Sequence, residues 1–373
     1  MIDSEKKIAL GFCLERVHMN SHFTVRCEYT EALEYLTPQP STGRKVFVLY
    51  GLGGIGKTQL AINFAKDRQA EFTSILFLDG SSQESLLKSF APIYHLLTEN
   101  SGIQTPNAVL HENPNQISPQ KMAGEVIRWL ARKYNSSWLL IFHNIDKELS
   151  DEGSFDIVSY FPPKDHGSIL ITTRFAPLSR LGRSKKVGHM TDEEAIELLD
   201  RNLGMSLSSQ QRLWASHNKE SPATKQLLEI LDGLPLAISQ AGRFINTLNL
   251  KPETYLKLYT SSKREVMDML SGDSYLYDSE KSSIRTTWTI SLNLLKEKAA
   301  KEGLDGQHYA AYQLLQLFAY FLPSDLNYNI ILFGHIANNI PDWFRRTFSS
   351  KLRFFGVIKI LRCHKDSSRS LPH

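Results

Sequence analysis

The residues best equipped for chemistry in this sequence form one octet, Gly51-Leu-Gly-Gly-Ile-Gly-Lys57-Thr58. Its spacing is G-x-x-x-x-G-K-[ST]. Glycines at Gly51, Gly53, Gly54 and Gly56 let consecutive backbone N–H groups turn inward and approach a polyphosphate closely, at the positive end of the helix that starts near Lys57. Lys57 would reach the β and γ phosphates, and the Thr58 hydroxyl would complete the shell of a Mg²⁺ ion held otherwise by nucleotide and water. The candidate cofactor-binding segment therefore comprises Gly51, Gly53, Gly54, Ile55, Gly56, Lys57, Thr58 and Gln59, with Thr58 the candidate metal contact. The bland alternative is a glycine-rich turn that binds nothing. Against it stand the Lys and the Thr in register, an apolar run Val46 to Tyr50 before the octet, and a helix-forming segment after it.

Two other stretches end in side chains suited to a phosphate crevice. Trp138-Leu-Leu-Ile-Phe142 runs into His143, Asn144, Ile145 and Asp146, the pattern of a central strand delivering polar groups at its carboxyl end. In a phosphate-loop protein the strand's terminal Asp helps hold Mg²⁺. Here that position is His143, a degenerate acid position, and Asp146 is the nearest carboxylate; these two are the catalytic candidates. Gly167-Ser-Ile-Leu-Ile-Thr172-Thr173-Arg174 repeats the design and ends in a cation. Arg174 reads either as an ordinary surface charge or as a contact for the terminal phosphate, a task its guanidinium fork suits.

The elements that must position these groups follow from pattern. Strands are expected at Val46 to Tyr50, Ser74 to Leu78, Trp138 to Phe142 and Gly167 to Thr173, with a short one at Lys186 to His189. Helices alternate with them at Thr58 to Gln69, Ser82 to Leu97 and Lys121 to Tyr134, and a long polar loop covers Thr98 to Gln120. Alternation of this kind predicts an α/β fold, a parallel sheet flanked by helices. Beyond Met190 the expected elements are helices, among them Thr191 to Leu203, Pro222 to Leu231, Gly233 to Ile245, Pro252 to Leu270, Ile284 to Leu295, Tyr309 to Phe321, Leu326 to Ala337 and Trp343 to Leu352. Two short strands, Gly356 to Leu361 and Ser368 to Leu371, would add a β-ribbon and make the last part winged-helix-like. Residues 1 to 22 show no periodicity and read as a tail or one short helix.

At 373 residues, 42% hydrophobic and 22% charged, the chain has an ordinary globular composition and length for two or three domains. The net charge of +4 comes from scattered clusters, Arg180 to Lys186 and Arg345 to Arg353, which favour solvated faces over a nucleic-acid surface. Cys13, Cys27 and Cys363 have no metal-ligand spacing and form no disulfide framework, so a reducing compartment is expected. The charged start is unlike a signal peptide, and Tyr309 to Leu322 is too short and interrupted to span a bilayer, so the expected location is cytoplasmic, with no membrane partner.

Taken together, these residues resemble the NB-ARC module of signal-transducing STAND NTPases, the nucleotide-operated core of plant resistance proteins, apoptosome-type proteins and especially fungal NOD-like receptors. The similarity runs from about Phe23 to the last residue. Phe23 to Glu28 is similar to the family's h-x-G-R-E segment near the adenine, with Arg26 at the Arg position and Val25 where glycine is usual. Gly51 to Thr58 is a full Walker A match, Thr172-Thr173-Arg174 resembles sensor 1, and Gly233-Leu-Pro-Leu-Ala237 is the G-L-P-L-A motif, whose Pro235 would lie against the nucleotide. Thr287 to Ser291 and Leu315 to Leu326 resemble the opening of the winged-helix domain. The implied domains are a tail at 1–22, a phosphate-loop domain at 23–189, a helical ARC1-like domain at 190–280 and a winged-helix, ARC2-like domain at 281–373.

The sequence departs from the family at His143, where the Walker B acid is expected, and at Asn144, which many fungal relatives share while keeping the preceding Asp. His373 aligns with the nucleotide-sensing His of the M-H-D motif, and the domain that contains it is expected to be truncated, with the usual effector and repeat regions missing. The resemblance implies a switch operated by ADP or ATP with Mg²⁺, forming homo-oligomers when activated and using protein partners for effector or sensor functions, in fungal immune-like or self/non-self signalling. Two alternatives stay open: a turnover ATPase on the same loop, at most slow given His143, and a truncated paralogue serving as a binding or scaffold module.

Overall fold

The computed structural model describes residues 10–13, 22–39, 43–101, 117–146, 154–203, 221–270, 279–319, 341–348, 353, 356–358 and 360–361. The chain divides into two compact units, Met1–Gly188 and His189–His373.

The first unit is built on a six-stranded sheet. Its elements are β1 (Gly11–Cys13), α1 (Cys27–Leu33), β2 (Lys45–Tyr50), α2 (Lys57–Asp67), β3 (Ser74–Asp79), α3 (Gln83–Ser101), α4 (Pro119–Leu130), β4 (Trp138–His143), β5 (Ser168–Thr173) and β6 (Arg183–Lys186). Strand order is β1-β3-β4-β5-β2-β6, and every pairing is parallel. Continuous apolar runs such as Leu139 to Phe142 and Ile169 to Ile171 are fully buried, as strands covered on both faces by helices must be. Trp138, Phe142, Ile169 and Ile171 join Phe90, Val126 and Trp129 of the helices in one core. Because β5 lies between β2 and β4, the carboxyl ends of these three strands, at Tyr50, His143 and Thr173, finish side by side.

Two strands differ from expectation. Residues 11–13 are not tail or helix but β1, which extends the sheet beside β3; three residues are too few to carry a period. The last strand is not at Lys186 to His189 but earlier, at Arg183–Lys186, paired with Phe47 to Tyr50. It is a largely exposed edge strand of four basic and polar residues, so no apolar run announces it.

All elements described in the second unit are helices: α5 (Asp192–Asn202), α6 (Pro222–Leu231), α7 (Pro235–Thr247), α8 (Pro252–Leu270), α9 (Ser279–Glu302), α10 (Gln307–Phe318) and α11 (Asp342–Phe348). Helix α5 starts at a capping box in which the Thr191 hydroxyl accepts from Glu194 N–H and Glu194 reaches back to Thr191 N–H. The expected strand over Gly356 to Leu361 is contradicted, since 356–358 and 360–361 are helical. Val357 and Ile358, with Leu361 one turn on, face the cluster of Leu314 and Phe344, which is helical spacing in a segment whose β-branched residues read as strand. The expected helix Leu326 to Ala337, the strand Ser368 to Leu371 and His373 lie outside the described residues. Among the described residues no helix is long and apolar enough to cross a membrane.

Candidate functional site

The site lies in the first unit, where β2 passes into α2. Gly51 leaves β2 at φ 147°, and a Cβ there would stand 2.6 Å from the Val187 carbonyl oxygen, so close backbone packing demands glycine. Gly56 occupies the N-cap of α2 at φ 97° and supplies no side-chain acceptor. The first-turn N–H groups of α2, from Lys57, Thr58 and Gln59, are thus the donors a phosphate would accept from. Ile55 is fully buried and anchors the loop in the core. Lys57 is buried, and its ammonium donates to the carbonyls of Gly51 (2.8 Å) and Leu52 (2.6 Å). Burial pushes its pKa down to about 8; nearby Asp146 opposes that shift and Arg174 adds to it.

The exits of β4 and β5 are fastened residue to residue. Asn144 takes the left-handed conformation, φ 64°, which Asn tolerates better than most side chains. Its N–H donates to Thr172 Oγ1 (3.3 Å), Ile145 N–H donates to Thr172 O (3.2 Å), and the Thr173 hydroxyl donates to Ile145 O. Asp146 completes the series, with Oδ1 accepting from Arg174 N–H at 2.6 Å and Oδ2 from Arg174 Nε–H at 2.7 Å. Asp146 is 12% exposed and the Arg174 side chain 60%. The Arg174 side chain lies along the loop, with Cδ 3.6 Å from where a Gly53 Cβ would be.

His143 ends β4 in register with Asp79, the last residue of β3. Its Nε2 is 3.8 Å from Asp79 Oδ1, and its ring packs on Phe77 at 4.8 Å between centroids. Burial lowers its pKa against the opposing pull of Asp79 and Asp146, so the imidazole is neutral at neutral pH.

Arg26 is buried beside the loop's other wall. Its guanidinium lies 4.6 Å over the Tyr29 ring and donates to Gly188 O (3.1 Å), while Tyr29 Oη accepts from Gly188 N–H (2.9 Å). The residue before Gly188, Val187, donates to Tyr50 O (2.7 Å) and is the one that packs on Gly51. Arg26 therefore braces the backbone against which the glycine loop is set. The neighbouring Thr24 is buried, and its hydroxyl has no partner among the described residues.

The structure thus brings Gly51 to Gln59, His143, Asp146 and Arg174 to the carboxyl ends of β2, β4 and β5, with Arg26 joined through Gly188. Pro235 opens α7 in the second unit, behind a fully buried Leu234. Sequence reasoning missed Asp79, whose signal was an apolar run ending in Asp-Gly, and it missed the mutual grip of Asp146 and Arg174.

A nucleotide fits these residues: a glycine cradle, an uncapped helix start and two cations, Lys57 and Arg174, facing one carboxylate. Mg²⁺ is less well provided for. Thr58 offers one oxygen, both Asp146 oxygens are engaged by Arg174, and His143 offers nitrogen to an ion that prefers oxygen. Among the described residues no three His, Cys, Asp or Glu side chains group as a metal site.

Residues 29–208 match the family model of the NB-ARC domain. A nucleotide-binding leucine-rich repeat (NLR)-like protein of the fungus Hyaloscypha variabilis is 28% identical over 287 residues, 73% of this chain. The chain spans 28% of that relative's length. Among solved structures, Cdc6p of Pyrobaculum aerophilum is similar with a TM-score of 0.40 and 11% identity, over 76% of this chain and 88% of that one. A Signal Transduction ATPase with Numerous Domains from Pyrococcus horikoshii, with a tetratricopeptide repeat sensor, matches at a TM-score of 0.36 and 14% identity over 92% of this chain and 51% of its own. The fold stands on the strand order and register given above.

Proposed function

Because this chain carries an NB-ARC domain, we propose that it is a nucleotide-operated signalling switch that binds ADP or ATP and turns ATP over slowly or not at all. The observation that carries the reading is the complete glycine loop with Lys57 buried on its own carbonyls. A buried ammonium held by neutral acceptors gains most from an arriving polyphosphate, which replaces those carbonyls with full charges. In this reading the α2 N-terminus and Lys57 bind the phosphates, Arg174 meets the outermost one, Arg26 braces the wall near the base, and Pro235 and His373 close on the nucleotide from the domains that follow. A Mg²⁺ ion, carried mainly by phosphate and water, would add Thr58 as its protein ligand and screen phosphate charge. ADP favours the closed arrangement, and exchange for ATP opens it for homo-oligomerisation and for protein partners that supply sensor and effector functions, in the cytoplasm of a fungal immune-like or self/non-self pathway.

Slow turnover is supported by the same geometry. His143 replaces the acid, Asn144 is used to turn the chain, and Asp146 is spent on Arg174, which leaves no free carboxylate beside the phosphates among these three residues. Calorimetry of ADP binding tests the reading: the natural protein binds, and Lys57→Ala loses most of the affinity. Equal affinity in the two proteins, or none in the natural one, overturns it; the latter result would favour the scaffold alternative.

A further inference from the structure

We propose that the outer edge of β6 (Arg183–Lys186) is a docking site for an acidic, extended segment of a partner protein, which joins the sheet as a further strand. The inference is independent of the nucleotide-binding reading. Strand β6 ends the sheet, paired with β2 on one side and with no strand on the other among the described residues. That pairing fixes the direction of its backbone groups. Val187 N–H donates to Tyr50 O at 2.7 Å, and in a parallel ladder alternate residues send their amides to the same neighbour, so Lys185 and Arg183 also face β2. The N–H and C=O groups of Ser184, Lys186 and Gly188 therefore point outward. Those of Gly188 are taken, its N–H by Tyr29 Oη at 2.9 Å and its carbonyl by the Arg26 guanidinium at 3.1 Å. Those of Ser184 and Lys186 have no partner among the described residues, which leaves two donors and two acceptors in the order that an added strand complements.

Charge names the occupant. Arg183 and Lys185 stand on one face of β6, where the Arg183 guanidinium lies 4.1 Å over the Tyr35 ring and Lys185 pairs with Glu28 at 2.6 Å. Lys186 stands on the other face, and Arg180 lies in the turn before the strand. Arg180, Arg183 and Lys186 are exposed, and none has a carboxylate partner among the described residues. Cations on an edge strand keep most other strands away. A second copy of β6 would set lysine and arginine against their like, which is destabilising across a strand pair. A segment with Asp or Glu at alternate positions turns the same charges into attraction while its amides meet the open backbone groups. A nucleic acid answers only half of this edge, since its phosphates accept hydrogen bonds but bring no donor to the carbonyls of Ser184 and Lys186.

The test measures binding of the peptide acetyl-Glu-Val-Glu-Val-Glu-Val-amide, of its lysine counterpart acetyl-Lys-Val-Lys-Val-Lys-Val-amide and of a short single-stranded DNA. The proteins are the natural chain, Ser184→Pro, and the double variant Arg183→Glu with Lys186→Glu. Ser184→Pro removes one outward donor and leaves the β2 ladder whole, because that N–H does not face β2 and proline is accepted on an edge strand. The natural protein should bind the acidic peptide and not the basic one, and each variant should weaken that binding by about tenfold or more, the worth of a lost hydrogen bond or charge pair. In hydrogen exchange the peptide should add protection at the amides of Ser184 and Lys186 but not at Lys185, which already bonds to β2. An unchanged unfolding midpoint shows that Ser184→Pro folds, and the exchange pattern of the natural protein tests the inference without any variant. Failure to bind the acidic peptide, binding that Ser184→Pro leaves unchanged, or bound peptide without new protection at Ser184 and Lys186 overturns the inference. DNA bound in place of the peptide also overturns it and makes this edge a nucleic-acid surface.

Discussion

Strands β2 and β4 flank β5 in one sheet, yet the segments that follow them are built on different principles. After β2, the working groups are backbone N–H donors and one lysine, and the motif is complete from Gly51 to Thr58. After β4, the working groups in an ATP-hydrolysing site would be side-chain carboxylates, and here they have been replaced or reassigned: His143 packs on Phe77 opposite Asp79, Asn144 supplies a left-handed turn, and Asp146 grips Arg174. On the proposed reading the contrast separates binding from turnover. Binding would be carried by main-chain geometry that tolerates little change, and turnover by a few carboxylates that substitution can remove without disturbing a strand.

The strongest way to break the comparison is to restore the missing acid. His143→Asp should speed single-turnover ATP hydrolysis by about 10² to 10³, because the restored carboxylate helps hold Mg²⁺ and a held metal ion is worth several kcal/mol of charge stabilisation in the transition state. No gain would mean that the β4 exit is limited by something other than residue 143. On the β2 side, Lys57→Ala should weaken ADP by about ten- to a hundredfold in calorimetry, the value of charge-assisted hydrogen bonds. Stability comes next in size. Gly51→Ala places a Cβ 2.6 Å from Val187 O in a backbone conformation at φ 147°, and should cost about 1 to 3 kcal/mol in denaturant unfolding. Gly53→Ala, whose nearest neighbour is 3.6 Å away, should leave stability almost unchanged.

The smallest effect concerns protons. The folded pKa of Lys57, about 8, lies below its ordinary 10.5, so between those values the folded chain binds fewer protons than the unfolded one. This group therefore makes the ligand-free protein more stable as pH rises through that window. Bound phosphates restore the charge, so ADP binding near pH 9 should take up to about one proton, read from calorimetry in two buffers of different ionisation enthalpy. Lys57→Ala should abolish that uptake.

How far these features were legible in the sequence follows from what each depends on. The glycine octet and the buried strands β2 to β5 were readable because each is a local pattern with a local cause. Strand β6 was misplaced and β1 unseen because edge strands carry no apolar run and owe their form to the neighbour they pair with. Gly356 to Leu361 read as strand because β-branched residues dominate it, yet packing against Leu314 and Phe344 selects a helix there. Within the site, Asp146 and Arg174 were each identified, but their pairing spans 28 positions and exists only because β5 lies beside β4. Asp79 stayed hidden for the same reason: only the register of β3 against β4 sets it opposite His143.

The central claim is that the β2 exit holds a nucleotide which the β4 exit does not consume. It is tested most directly by loading the natural protein with ATP and Mg²⁺, removing the excess, and identifying the retained nucleotide after a period long compared with binding. Intact ATP bound to the protein is the predicted result. Retained ADP with released phosphate, or no retained nucleotide at all, would contradict the account.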